Sequence, residues 1–189
     1  MAGRILVLGF GNVDRQDDGV AWHILALIAR HFRLPAPDPT GEGFNPRNPG
    51  EPANGSEEPS AGSPQRQPID LVFAVQLTPE MAENLATYAI VCFVDAHTGN
   101  VSREVNFEEM AGGYQASPFT HHLTPQTCLA LSQALYGNAP KGYLMSVRGY
   151  QFGFTHELSE QTSQLATTAG EQLITWLSQF VIDDNLPRP

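Results

Sequence analysis

Residues 4–32, RILVLGFGNVDRQDDGVAWHILALIARHF, constrain the fold more tightly than any other stretch of this chain. Ile5, Leu6, Val7 and Leu8 form the uninterrupted apolar run of a parallel strand covered on both faces. Gly9 and Gly11 then break the strand, and a helix predicted over 17–32 restarts behind the adjacent carboxylates Asp17 and Asp18. In it Val20, Ile24, Leu27, Ile28 and Phe32 recur every three or four residues, which lays one face on a sheet. A strand-to-helix junction is where an open α/β sheet places its ligands, because backbone N–H groups are left unpaired there.

Two ligand types compete for this junction. Gly9 and Gly11 suit a dinucleotide turn, but the third glycine of that fingerprint falls at Asp14, and a pyrophosphate would sit among Asp14, Asp17 and Asp18. A divalent cation fits clustered carboxylates better. A purely structural alternative stands beside both: Asp17 as N-cap and Asp18 as a first-turn residue favoured by the helix dipole.

The 189 residues suit one α/β domain. Ten Lys and Arg against twenty Asp and Glu give a net charge of -10, which argues against nucleic acid or an anionic membrane as partner. Cys92 and Cys128 fall inside strand-like and helix-like runs and read as small buried hydrophobes, which suits a reducing cytoplasm. The apolar run at the start is too short for a signal peptide or for a spanning helix of about 18 residues.

Between 35 and 68 the composition changes: nine prolines, five glycines and Phe44 as the one large apolar side chain. Such a segment cannot bury enough surface to offset its ordering entropy and reads as a flexible insertion. Strands are predicted at 69–75, 89–94 and 142–147, with a short exposed antiparallel edge at 101–108. Thr78-Pro79 and Thr124-Pro125 carry N-cap and first-position signatures for helices over 79–87 and 124–136, the second with Cys128, Leu131 and Leu135 inward and Gly137 ending it. A last helix spans 159–180 with a frayed tail from 183. His23 reads as a helix-flank residue.

Strands alternating with helices give a mostly parallel twisted sheet of about five strands with helices on both faces. Asp95 directly follows a buried strand, at the functional edge of such sheets, although capping a loop through Thr98 or Gly99 is the plainer role. His121 and His122 precede a helix N-terminus, which favours the neutral imidazole that binds metal, although adjacent histidines are often only solvated. If the strand ends share one rim, Asp18, Asp95 and His122 converge into an open site for a borderline divalent cation. No Ser-His-Asp or Cys-His arrangement and no HExxH helix is present.

GFGNVDRQDDGV, the VDA at 94–96 and HHLTPQTCLALSQALYG resemble the hydrogenase maturation endopeptidases, and QLTPE resembles one branch of them. The likeness spans nearly the whole chain outside 35–68. It implies a single phosphorylase/hydrolase-like α/β domain that removes the C-terminal extension of a nickel-iron hydrogenase large-subunit precursor in the cytoplasm. It further implies Asp18, Asp95 and His122 as metal-contacting and catalytic residues. The nickel is supplied by the substrate, zinc or cadmium is able to substitute in vitro, and no resident organic cofactor is expected. Ala21 stands where the family has a glycine, and His121 beside His122 leaves the imidazole to one of two residues. A non-catalytic docking protein for the large subunit and a nucleotide-binding α/β module are the alternative readings.

Overall fold

Residues 3–41, 68–113 and 123–181 are described by the computed structural model. Five strands, β1 (Ile5–Phe10), β2 (Ile69–Ala74), β3 (Ile90–His97), β4 (Val105–Met110) and β5 (Lys141–Arg148), alternate with α1 (Val20–Phe32), α2 (Met81–Leu85), α3 (Pro125–Tyr136) and α4 (Glu160–Ser178). The strands form one sheet in the order β2-β1-β3-β5-β4. β1 lies parallel to β2 and β3, and β5 parallel to β3. β4 closes the edge antiparallel to β5, so the exposed-edge reading holds with its bounds moved to Val105–Met110.

The strands are buried on both faces because the helices divide between them. Ile5 and Val7 of β1, Cys92 and Val94 of β3, and Met145 and Val147 of β5 pack with Ile24 and Ile28 of α1 and Leu173 and Leu177 of α4. Leu6 and Leu8, with Val91 and Phe93, turn to the opposite face and meet Met81 and Leu85 of α2 and Cys128 and Leu129 of α3. Each such aliphatic side chain contributes roughly 1.5–3 kcal/mol by leaving water. Ala21 fills the space opposite Gly9, where a Cβ would lie 3.2 Å from its methyl.

Several local readings are corrected. The first helix does not start at 17: a 3-10 turn over Gln16–Gly19 precedes α1, and Asp17 makes no cap hydrogen bond. Thr78 does not cap the 79–87 helix, which shrinks to Met81–Leu85 behind Glu80. Thr124 does cap α3, accepting the Thr127 N–H, and Gly137 ends it at φ 71°. On α3 the buried positions are Thr127, Cys128, Leu129 and Ser132, whereas Leu135 is exposed, because only the side facing β3 and α2 meets the core. α4 starts as expected, with Ser159 accepting the Thr162 N–H.

Cys92 and Cys128 are free and buried. Among the described residues no helix is long and apolar enough to cross a membrane. Most of the proline-rich insertion with Phe44, the tail from 183, and His121 and His122 lie outside the described residues.

Candidate active site

The turn after β1 is built to present one carboxylate. Gly11, at φ 141°, donates its N–H to Ala74 and approaches Asp18 so closely that a Cβ would lie 2.1 Å from the Asp18 carbonyl oxygen. Asn12 donates its N–H to Asp18 Oδ2 at 3.0 Å, and the Asp18 N–H returns to the Arg15 carbonyl. Gly11→Ala is therefore expected to force this turn apart and displace Asp18, at a cost of about 1–3 kcal/mol of stability, while the sheet persists. Circular dichroism beside urea unfolding checks it.

Most of the amides expected to be unpaired at this junction are engaged. Asp14 donates to Asn12 Oδ1, Arg15 to the Asn12 carbonyl, Gln16 to Thr155 and Asp17 to Gln151. A phosphate would find those N–H groups taken, with the half-buried Asp18 carboxylate already on Asn12.

Asp17, read as an N-cap, is instead a fully buried hub. Its Oδ2 accepts the Tyr150 and Gln151 N–H groups at 2.8 Å and the Ser159 and Thr162 hydroxyls at 2.7 Å, and its Oδ1 accepts the Ser159 N–H at 2.7 Å. Burial pushes its carboxyl up, but the hydrogen bonds from Gln151, Ser159 and Thr162 outweigh this and hold it below the ordinary carboxylate value. Asp17 thereby ties the turn to the start of α4 and fixes Asp18 beside it. This role escapes sequence reading because its partners lie more than 130 residues away.

Asp95 stands near the carboxyl end of β3, the strand next to β1. It accepts the Ala96 N–H at 2.8 Å rather than capping Thr98 or Gly99; Gly99 instead donates to His97 Nδ1. Burial pushes the Asp95 carboxyl up to about 7; the Ala96 hydrogen bond opposes this, and the negative charge of Asp18 adds to it. Asp18 and Asp95 are thus close enough to feel each other. The ion pairs among the described residues, Arg4–Asp70, Lys141–Glu109 and His156–Asp14, include neither of them.

Two neighbouring carboxylates, neither ion-paired among the described residues, suit a divalent ion. Among the described residues no three His, Cys, Asp or Glu side chains assemble into a metal site, so Asp18 and Asp95 make up part of a ligand set. His122, the third expected member, and its neighbour His121 lie outside the described residues. Leu123, the next residue, packs on the α2–α3 core.

His23, on the flank of α1, lines a cleft of about 410 Å³ with Asn12, Val13, Asp14, Trp22 and Val75. Burial lowers its pKa, opposed by a hydrogen bond with the His156 backbone. Neither thiol is a ready nucleophile, since burial pushes Cys92 far up and Cys128 up to about 12.

No family model matches the sequence, and no curated protein matches it. Solved structures do match. The NiFe hydrogenase maturation protease HycI from Thermococcus kodakarensis superposes with a TM-score of 0.56 at 17% identity, over 93% of this chain and 92% of that one. The hydrogenase maturating endopeptidase HybD from E. coli gives 0.56 at 17% identity over 93% of each chain. An endopeptidase from Escherichia coli solved in solution gives 0.57 at 16% identity, again over 93% of each. With five strands in this order and near-complete coverage on both sides, the chain has the fold of the hydrogenase maturation proteases.

Proposed function

We propose that this protein is an endopeptidase that removes the C-terminal extension of a nickel-iron hydrogenase large-subunit precursor in the cytoplasm, after nickel has been inserted. The observation that carries the reading is the Asp18–Asp95 pair, one in the turn after β1 and the other near the end of the adjacent β3, with one carboxyl raised to about 7 by burial and by the other's charge and neither ion-paired among the described residues. A site of that kind is poised for an ion brought by the substrate. The precursor's nickel meets Asp18 and Asp95, with His122 as the imidazole ligand. Zinc or cadmium would serve in its place in vitro.

In the reaction a water oxygen attacks the scissile carbonyl carbon and gives its proton to one carboxylate of the pair. That proton then passes to the departing nitrogen as the C–N bond breaks. The acceptor in that step is the carboxylate oxygen of the pair that the nickel leaves free. The cleft lined by Val13, Trp22 and Val75 offers apolar lining for the peptide flanking the cut.

The test is mass spectrometry of a large-subunit precursor incubated with the protein, with and without nickel. A product shortened at its C-terminus in the nickel-loaded sample alone is expected. An intact precursor in both samples defeats the reading, and stable binding without cleavage establishes the docking alternative. The nucleotide-binding alternative is disfavoured by the engaged amides of the turn. Calorimetric binding of NAD or ATP, unchanged in Asp18→Ala, would revive it.

A further inference from the structure

Among the described residues, two buried polar atoms near Asp95 have no hydrogen-bond partner. Along β3, Ile90, Cys92, Val94 and Ala96 belong to the α1–α4 core, and Val91 and Phe93 to the α2–α3 core. By that alternation Asp95 and His97 share the α2–α3 face. Ser146 is the register partner of Asp95 on β5, and its neighbours Met145 and Val147 face the α1–α4 core, so Ser146 joins them. His97 is 7% exposed and Ser146 5% exposed, yet among the described residues neither His97 Nε2 nor Ser146 Oγ has a hydrogen-bond partner. Leaving such a group unpaired costs about 1–3 kcal/mol, and a folded chain that keeps two beside a carboxylate calls for a reason.

The protons decide what His97 offers. The Gly99 N–H, from a backbone at φ 92°, donates to His97 Nδ1 at 3.2 Å, so Nδ1 presents its lone pair and the ring proton lies on Nε2. The unpaired atom is then an N–H donor, not a lone pair for a metal, in keeping with the absence of a three-residue metal cluster among the described residues. A buried donor at a cleavage site suits an oxygen on which negative charge develops.

We propose that His97 Nε2–H, assisted by the Ser146 hydroxyl, donates to the scissile carbonyl oxygen and stabilises it as the water adds; this rests on the peptidase reading above. As the water oxygen bonds to the carbonyl carbon, the π pair of the C=O moves onto the oxygen and is met by the Nε2–H. When the intermediate collapses the C=O reforms, the C–N bond pair leaves on nitrogen, and nitrogen takes the proton held by the carboxylate. His97 keeps its own proton throughout.

The experiment is turnover of a nickel-loaded large-subunit precursor by wild type, His97→Phe, His97→Gln and Ser146→Ala, with thermal unfolding of each. His97→Phe, similar in size but without a donor, is expected to lower kcat about 10²–10³-fold with KM changed by less than about 3-fold. His97→Gln, which keeps an N–H donor, is expected to regain at least about 10-fold of that loss, and Ser146→Ala to lose about 10-fold. Should His97→Phe not fold, the smaller and equally donor-free His97→Leu replaces it. Equal losses in Phe and Gln, or a raised KM with unchanged kcat, overturn the proposal. Wild type leaving the precursor intact overturns it together with the peptidase reading; wild type and His97→Phe cleaving equally fast overturn it alone.

Discussion

Asp95→Asn is expected to lower precursor cleavage by about 10²–10⁴-fold while making the metal-free protein more stable at pH 8. The two effects have one cause. Above its pKa of about 7 the folded chain carries an ionised carboxylate that burial and Asp18 both disfavour, whereas in the unfolded chain the same group ionises near pH 4. Between those values the folded state holds the extra proton, so stability falls as pH rises through the window from about 4 to about 7 and then levels off. An amide keeps the hydrogen bond from Ala96 and never ionises. The gain at pH 8 should be roughly 1–3 kcal/mol after allowing for partial exposure, or roughly 2–8 °C in Tm, and should vanish only below the unfolded value, at about pH 3. Thermal scans of metal-free wild type and variant at the two pH values measure it. A variant no more stable than wild type at pH 8 would show that Asp95 is not held against its own charge, and the reason for a borrowed cation would go with it.

At the neighbouring pair of positions the expected effects are opposite. Asp17→Ala leaves the Tyr150, Gln151 and Ser159 N–H groups and the Ser159 and Thr162 hydroxyls without their acceptor in a fully buried place. The cost is expected at about 3–5 kcal/mol, a large share of the roughly 5–15 kcal/mol that holds a domain together. Asp17 is lowered, so what it contributes is present above the unfolded carboxylate value near 4 and is lost as pH falls through its folded value. Asp18→Ala gives up one hydrogen bond, from Asn12, at a half-buried site and should change stability by about 1 kcal/mol or less while abolishing cleavage. Urea unfolding of the two variants side by side decides the matter. If Asp18→Ala is the less stable, the roles assigned to the two aspartates are reversed.

These neighbours show what sequence order carries and what it does not. Local patterns sufficed for the sheet, because an apolar run such as residues 5–8 or 91–94 has no stable home except a strand covered on both sides, and for α3 and α4, because Thr124 and Ser159 bond amides only three residues away. They also drew notice to Asp18, in the turn after the first strand, and Asp95, near the end of the third. They did not separate Asp17 from Asp18, since both are acidic residues in the same turn. What separates them is that the 149–162 segment folds back and delivers five donors to one carboxylate and none to the other. Nor did they mark His97 and Ser146, single polar residues in apolar strands that gain meaning only when β5 sets Ser146 opposite Asp95. The sequence by itself determined the elements and the chemistry available at the rim, because those depend on neighbours a few bonds apart. Tertiary structure alone decided which carboxylate is structural and which is presented, because burial and long-range hydrogen bonds exist only once the chain has closed.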